Sequence, residues 1–139
     1  MKWLIAFDLD GTLAESKRPL SEDMAAILAR LLAITDVAVI SGGDWPQFEK
    51  QIASRLPAGV ALDRLWLMPT TGTKLYRFIN GAWRAVYAEL FDDAEKAKIR
   101  TAFDQALTDA GLADERIWGE RIEDRGSQIT FSGLGQAAP

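Results

Sequence analysis

The 139-residue sequence contains no cysteine and no histidine. Without cysteine no disulfide can form, which is compatible with a reducing cytosol. Without either residue, the chain cannot build a Cys/His zinc site, a Ser-His-Asp triad or a Cys-His nucleophile pair. Acid–base chemistry within the chain must therefore come from carboxylates, or less often from Lys or Tyr.

Long hydrophobic runs and clusters of basic residues are also missing. No stretch approaches the roughly 20 apolar residues of a membrane-spanning helix, and the N-terminal apolar run is too short for a secretory signal. The net charge is −4 and the basic residues are scattered, so no cationic surface is expected for nucleic acid or anionic lipid. We predict a cytoplasmic protein that binds neither nucleic acid nor membrane. The sequence leaves the oligomeric state open, and its five Trp residues are compatible with an oligomer.

The composition that is present, 48% hydrophobic and 26% charged, is ordinary for a soluble globular protein. Ser21 and Asp44 are predicted helix N-caps, with Gln47 as the capping-box partner of Asp44. Short apolar runs around these helices predict three buried strands, at residues 3–7, 37–40 and 65–68. This alternation predicts an α/β fold with a Rossmann-like parallel sheet, of which only part is present.

The pattern changes after the third predicted strand. Residues 74–79 and 82–87 flank Asn80-Gly81, a strong signal for a type I′ hairpin. Asp92-Asp93 is expected to cap a helix that ends near Gly111, and alternating apolar residues between 116 and 131 predict antiparallel strands of another sheet. We predict two domains, the N-terminal part of an α/β core at residues 1–87 and an incomplete α+β cap domain at residues 88–139.

The candidate catalytic residues lie in the segment FDLDGT, Phe7 to Thr12, at the end of the first predicted strand. Ligands of open α/β sheets bind at this edge. Side chains two residues apart on an extended segment point the same way, so Asp8 and Asp10 are expected to converge on one site. A bound divalent cation would relieve the repulsion between the two carboxylates. The alternative is an acidic turn with no catalytic role.

This segment resembles motif I of the haloacid dehalogenase-like superfamily of phosphatases and mutases. The resemblance implies that Asp8 is the nucleophile that forms an aspartyl-phosphate and that Asp10 is the general acid/base. It also implies Mg²⁺ as cofactor, bound by Asp8 and by Asp10 through its backbone carbonyl. Thr12 is a candidate phosphate-binding residue in the same segment.

A second polar segment, Ser41-Gly42-Gly43, follows the second predicted strand. Ser41 resembles motif II of the same superfamily, in which a Ser or Thr hydroxyl binds the phosphoryl group. We expect Ser41, Gly42 and Gly43 to bind phosphate, because free backbone N–H groups near a helix start can hold an anion. A glycine turn followed by a capping Asp44 is the alternative. The hydroxyls of residues 70–73 are expected either to contact phosphate or sugar or to belong to a plain turn.

The order of these segments resembles the capped subgroup that contains phosphomannomutase and sucrose-phosphate phosphatase. Within EDRGSQITFSGLGQ, Arg125 matches a substrate-binding arginine of the phosphomannomutases, whereas Gln136 stands where another Arg is expected. Ser41 likewise replaces a Gly of the mutases, and both departures favour a phosphatase. A solvated surface charge is the alternative interpretation of Arg125.

The same resemblance implies a motif III Lys and motif IV acidic residues after the cap. No Lys follows Lys98, so we interpret the sequence as an N-terminal fragment of a longer enzyme and expect weak or no activity from it alone. The predicted function is a Mg²⁺-dependent phosphatase whose substrate is a small phosphorylated metabolite, in particular a sugar phosphate. A phosphomannomutase-type mutase and a non-catalytic binding module are the alternatives.

Overall fold

The computed structural model describes residues 3–113 and 115–139. The chain divides into two compact units, Met1–Ala88 and Glu89–Pro139. In the first unit strands and helices alternate as the sequence predicts, and short 3-10 turns lie at residues 53–55, 62–64 and 70–72. The regular elements are β1 Leu4–Asp8, α1 Glu22–Leu32, β2 Asp36–Ile40, α2 Trp45–Gln51, β3 Leu65–Met68, β4 Lys74–Ile79 and β5 Ala82–Ala88.

One five-stranded sheet organises the first unit, in the order β1-β2-β3-β4-β5. The first three strands are parallel, and the β4–β5 hairpin adds two antiparallel strands. Asp8 at the end of β1 is in register with Ile40 at the end of β2, so FDLDGT and the segment that begins at Ser41 start at the same edge of the sheet. The predicted α/β fold class with a parallel core is confirmed.

Local side-chain chemistry sets the ends of these elements. The Ser21 hydroxyl accepts a hydrogen bond from the Met24 N–H at 3.2 Å, and the Asp44 carboxylate accepts one from the Trp45 N–H at 2.7 Å. Asn80 and Gly81 have φ values of +51° and +79°, as a type I′ turn requires. The predicted capping box at Asp44 is wrong, because the Gln47 amide donates to Asp10 instead.

The core of the first unit lies between the sheet and its two helices. Leu28 and Leu32 of α1 and Phe48 of α2 are buried together with the central strand residues Val39 and Leu67. Each such side chain contributes about 1.5–3 kcal/mol by leaving water. This packing holds the ends of β1 and β2 in a fixed relation.

The prediction that the first strand is buried on both faces is wrong. Leu4 is 56% exposed and Ile5 is 39% exposed. Among the described residues β1 pairs with β2 alone, so it lies at the edge of the sheet. Ile27 of α1 is apolar but also exposed, although the helical spacing of the apolar residues in α1 predicts it on the core face.

The second unit contains α3, Asp93–Asp109, and a two-stranded antiparallel sheet of β6, Ile122–Asp124, and β7, Ile129–Phe131. Asp92 caps α3 and forms a reciprocal capping box with Glu95. In the parts of the chain that the structure describes, no helix has both the length and the apolar character needed to cross a membrane.

Candidate active site

A tight turn after β1 places the two candidate catalytic aspartates. The carbonyl of the fully buried Leu9 accepts hydrogen bonds from the N–H groups of Thr12, Leu13 and Ala14 at 3.3, 3.0 and 3.0 Å. Gly11 has a φ of +82°, a conformation that glycine adopts without steric cost. Because β1 ends at Asp8, Asp10 lies in this turn and not on the extended segment that the sequence argument assumed.

Asp8 is exposed and makes one side-chain hydrogen bond, in which the Thr12 hydroxyl donates to Oδ2 at 3.2 Å. Within residues 3–113 and 115–139, its other oxygen, Oδ1, accepts no hydrogen bond. Asp8, Ser41, Gly42 and Thr71 line one cavity of about 380 Å³. The structure therefore brings Asp8 together with two of the predicted phosphate-binding residues, and Thr12 supports the Asp8 carboxylate directly.

Ser41 also lines this cavity, and its backbone is bonded to the loop that follows β3. Its backbone N–H donates to the Met68 carbonyl at 3.4 Å, and its carbonyl accepts from the Thr71 N–H at 3.0 Å. Ser41 is only 7% exposed. These bonds fix the backbone of Ser41, which is 33 residues distant from Asp8 in sequence.

The loop after β3 has a strained backbone. Thr70 and Thr71 have φ values of +50° and +60°, a left-handed conformation that is unusual for β-branched residues. Thr70 is fully buried, and its N–H donates to the Gly43 carbonyl at 2.9 Å, whereas the exposed Thr71 reaches the cavity. Of the residues in this loop, Thr71 is therefore the one that lines the cavity with Asp8 and Ser41.

Asp10 is held much more firmly than Asp8. Gln47 Nε2 donates to its Oδ2 at 3.0 Å, while Gln51 Nε2 and the Lys17 N–H donate to Oδ1 at 3.0 and 2.8 Å. The Gln51 amide also donates to the Arg18 carbonyl at 2.7 Å, and Gln51 is 1% exposed. Hydrogen bonds to an ionised acceptor are about twice as strong as neutral ones, so these three donors fix the orientation of the Asp10 carboxylate.

The sequence patterns did not predict that Gln47 and Gln51 bind Asp10. They are spaced i and i+4 on α2, so they share one face of the helix. This spacing, just after the second polar segment, is the signal that could have identified them.

Solved structures of other proteins share this fold. An IMP-nucleotidase of Plasmodium falciparum aligns with a TM-score of 0.65 and 16% identity over 92% of this chain and 38% of its own. A haloacid dehalogenase-like hydrolase from B. subtilis aligns with a TM-score of 0.51 and 25% identity over 76% of this chain and 34% of its own. The chain has the haloacid dehalogenase-like fold. The resemblance inferred from FDLDGT is confirmed at this level.

A trehalose-6-phosphate phosphatase related protein also aligns, with a TM-score of 0.50 and 18% identity over 91% of this chain and 50% of its own. No family model and no curated protein sequence matches the chain. The chain thus spans half or less of the length of these three structures, which share its fold.

Lys74 is the lysine nearest in sequence to the loops of this haloacid dehalogenase-like site. Its Nζ lies 2.7 Å from Asp44 Oδ1, and the two side chains are 10% and 28% exposed. Burial, and then the negative charge of Asp44, raise the pKa of the nearby Tyr76 hydroxyl above its ordinary value. Lys74 therefore forms an ion pair with Asp44, the residue that caps α2.

Arg125 belongs to the second unit, in the connection between β6 and β7. Its Nη2 lies 2.7 Å from Glu123 Oε2, and its side chain is 16% exposed. Its backbone N–H donates to the Gln128 carbonyl at 2.9 Å, and Gln136 Nε2 donates to the Ser132 hydroxyl at 2.9 Å. Arg125 is therefore mostly buried and paired, and a role in binding substrate stays a prediction.

The chain offers few ligands for Mg²⁺, but they are oxygen atoms, which this ion prefers. No group of three or more acidic side chains that could hold a metal occurs in residues 3–113 or 115–139. Mg²⁺ is often bound through one or two carboxylates, with waters and substrate phosphate completing its coordination. Both carboxylate oxygens of Asp10 already accept hydrogen bonds, and Asp8 lines the cavity whereas Asp10 does not. The candidate oxygens for the ion are therefore Asp8 Oδ1 and, as the resemblance implies, the Asp10 backbone carbonyl.

Proposed function

We propose that this chain carries the nucleophile side of a Mg²⁺-dependent phosphatase site that hydrolyses a small phosphorylated metabolite. The observation that supports this most directly is the shared cavity. It is lined by the exposed residue Asp8, which has a carboxylate oxygen without a hydrogen bond from the described residues, and by Ser41 at the neighbouring strand end. Nucleophile and phosphoryl-binding group come from adjacent parallel strands, where ligands of open α/β sheets bind.

In the proposed reaction, Asp8 Oδ1 attacks phosphorus, and the bond from phosphorus to the ester oxygen breaks. Asp10 gives its proton to the departing ester oxygen, which leaves as an alcohol. Asp10 then takes a proton from water, whose oxygen attacks phosphorus and releases inorganic phosphate and the free Asp8 carboxylate. Mg²⁺ held by Asp8 and the Asp10 carbonyl would neutralise charge on the phosphoryl oxygens.

Ser41 is proposed to donate its hydroxyl to a phosphoryl oxygen, with the backbone of Gly42, which lines the same cavity, beside it. Thr12 holds Asp8 Oδ2 and so leaves Oδ1 for the attack. Arg125 is proposed to bind the substrate. This last role follows from the resemblance to phosphomannomutases.

A sugar phosphate is the proposed substrate, and a nucleoside monophosphate is a second candidate. The sugar phosphate follows from the resemblance to sucrose-phosphate phosphatase. The nucleotide is favoured by the similarity to the Plasmodium falciparum IMP-nucleotidase that was solved with IMP bound, at a TM-score of 0.64 and 13% identity. Release of inorganic phosphate from a panel of both classes distinguishes them, and dependence on a sugar bisphosphate activator would instead indicate a mutase.

Trapping of the nucleophile with beryllium fluoride and Mg²⁺ tests the proposal without requiring rapid turnover. Fluorine NMR is expected to show a protein-bound adduct that depends on Mg²⁺ and disappears in Asp8→Asn. Because Asp8 is exposed, this variant is expected to keep the wild-type circular dichroism spectrum. Asp23→Asn, an equal change at an exposed position of α1, is the matched control and is expected to keep the adduct. Absence of an adduct on the wild-type chain, or its persistence in Asp8→Asn, would reject the aspartyl-phosphate mechanism and favour a binding module.

A further inference from the structure

The amide group of Gln47 reaches Asp10 through space that a side chain at Gly43 would occupy. A Cβ built on Gly43 would lie 2.2 Å from Gln47 Oε1, 2.4 Å from Cδ and 2.9 Å from Nε2. Real Cβ atoms essentially never approach another heavy atom within 3.0 Å. Gly43 is not among the glycines with positive φ, so its backbone conformation does not require glycine. Glycine is instead required by the Gln47 amide, which occupies the space that a Cβ would take.

We propose that Gly43 and Gln47 form a positioning pair for Asp10, in which Gly43 leaves room for the amide that holds Asp10 Oδ2. Gln47 is then a positioning residue for the acid/base step. This inference rests on the proposed function, in which Asp10 moves the proton. It also gives Gly43 a different role from the phosphate contact that the sequence suggests.

The hydrogen bonds of Asp10 explain why one amide matters. Gln51 and the Lys17 N–H both bind Oδ1, whereas Gln47 is the donor to Oδ2. Rotation of a carboxylate about its terminal torsion is soft, so donors on one oxygen alone fix it poorly. With Gln47 in place both oxygens are held, and the carboxylate keeps one orientation relative to the ester oxygen.

The neighbour of Gly43 that would have to move is the end of a flexible side chain, not backbone. Gly43→Ala is therefore expected to fold and to displace the Gln47 amide from Asp10. Gln47→Ala removes the amide and leaves the space empty. If the two residues act as one unit, Gly43→Ala costs nothing further in the Gln47→Ala background. If Gly43 instead contacts phosphate, its substitution remains harmful in that background.

The first measurement is the side-chain amide spectrum by heteronuclear NMR. The Gln47 signal, assigned by its loss in Gln47→Ala, is expected to shift in both Asp10→Asn and Gly43→Ala. An unchanged Gln47 signal in Gly43→Ala overturns the proposal. Glu49→Ala, on the exposed side of the same helix, is the matched control and is expected to leave the signal in place.

The second measurement compares the single-turnover rate of alcohol release, which a weak catalyst also permits, for an alkyl phosphate and for p-nitrophenyl phosphate, whose leaving group needs little help from a proton donor. Loss of a hydrogen bond to a charged group corresponds to a rate loss of roughly 10- to 100-fold. We expect that loss for the alkyl ester in Gly43→Ala, in Gln47→Ala and in the double variant alike. The aryl ester is expected to lose less than about 3-fold, because the proton transfer contributes little to its reaction.

Equal losses on both esters, or additive losses in the double variant, would overturn the positioning role. Failure of the proposed function looks different, because the wild-type chain would then form no beryllium fluoride adduct. In that case the amide signals alone decide whether Gly43 and Gln47 hold the Asp10 carboxylate.

Discussion

The strained loop after β3 offers a stability prediction with a definite sign. Thr71 has a φ of +60° and is exposed, and a left-handed residue other than glycine costs about 1–2 kcal/mol. Asn tolerates this conformation because its short side chain can hydrogen-bond locally. Thr71→Asn is therefore expected to stabilise the first unit by roughly 1 kcal/mol. The hydrogen bond from the residue 71 N–H to the Ser41 carbonyl involves backbone atoms only and should persist.

For a unit of about this size, roughly 1 kcal/mol corresponds to a rise in Tm of about 4–8 °C and to a shift of about 0.3–1 M in the urea midpoint. Unfolding can be followed by tryptophan fluorescence, because four of the five Trp residues lie in the first unit, at positions 3, 45, 66 and 83. Thr101→Asn makes the same chemical change at an exposed position of α3, where φ is helical, and should give no gain. An unchanged or lower midpoint for Thr71→Asn would show that the left-handed threonine stores no appreciable strain.

Two further predictions concern the start of α1 and the second unit. Ser21→Ala removes the cap that accepts the Met24 N–H and is expected to lower the free energy of unfolding by about 1 kcal/mol in urea titration; equal midpoints would show that the cap contributes nothing. The Gly126 N–H, with help from Lys96, outweighs desolvation and lowers the pKa of Asp124 below 3.8. The stabilisation from this carboxylate is therefore complete above pH 3.8 and is lost as the pH falls through the lower folded pKa. Asp124→Asn is expected to flatten acid unfolding of the second unit as measured by circular dichroism, and an unaltered acid limb would refute this assignment.

Local sequence signals predict the elements of the fold well because the interactions that create them are local. Ser21 and Asp92 cap helices within three residues of their partners, and Asn80-Gly81 forms its hairpin from its own backbone preferences. The burial of β1 could not be predicted in this way. An apolar run indicates that a strand can be buried, but only the order of strands in the sheet shows that Leu4 and Ile5 lie in an edge strand and are exposed.

In the candidate site, too, some features follow from local sequence patterns and others depend on long-range packing. Asp8 and Ser41 line one cavity because Asp8 ends one parallel strand and Ser41 directly follows the next, so the strand pattern and the fold class together predict their proximity. Gln47 fits a capping-box pattern with Asp44, three residues before it, yet binds Asp10, 37 residues before it in sequence. The charged acceptor at Asp10 gives a stronger hydrogen bond than a backbone partner. Its proximity depends on long-range packing and on the missing side chain of Gly43, which no local pattern reveals.

The different surroundings of the two aspartates support the division of labour proposed for them. A nucleophile must bring an oxygen without hydrogen-bond donors to phosphorus, and among the described residues only Thr12 holds the Asp8 carboxylate, through one oxygen. A proton donor and acceptor must keep a fixed orientation through two steps, and Asp10 is held through both oxygens by Gln47, Gln51 and the Lys17 N–H. If the roles were exchanged, the attacking oxygen would be one that already accepts a hydrogen bond, which weakens it as a nucleophile, whereas Asp8 Oδ1 accepts none from the described residues.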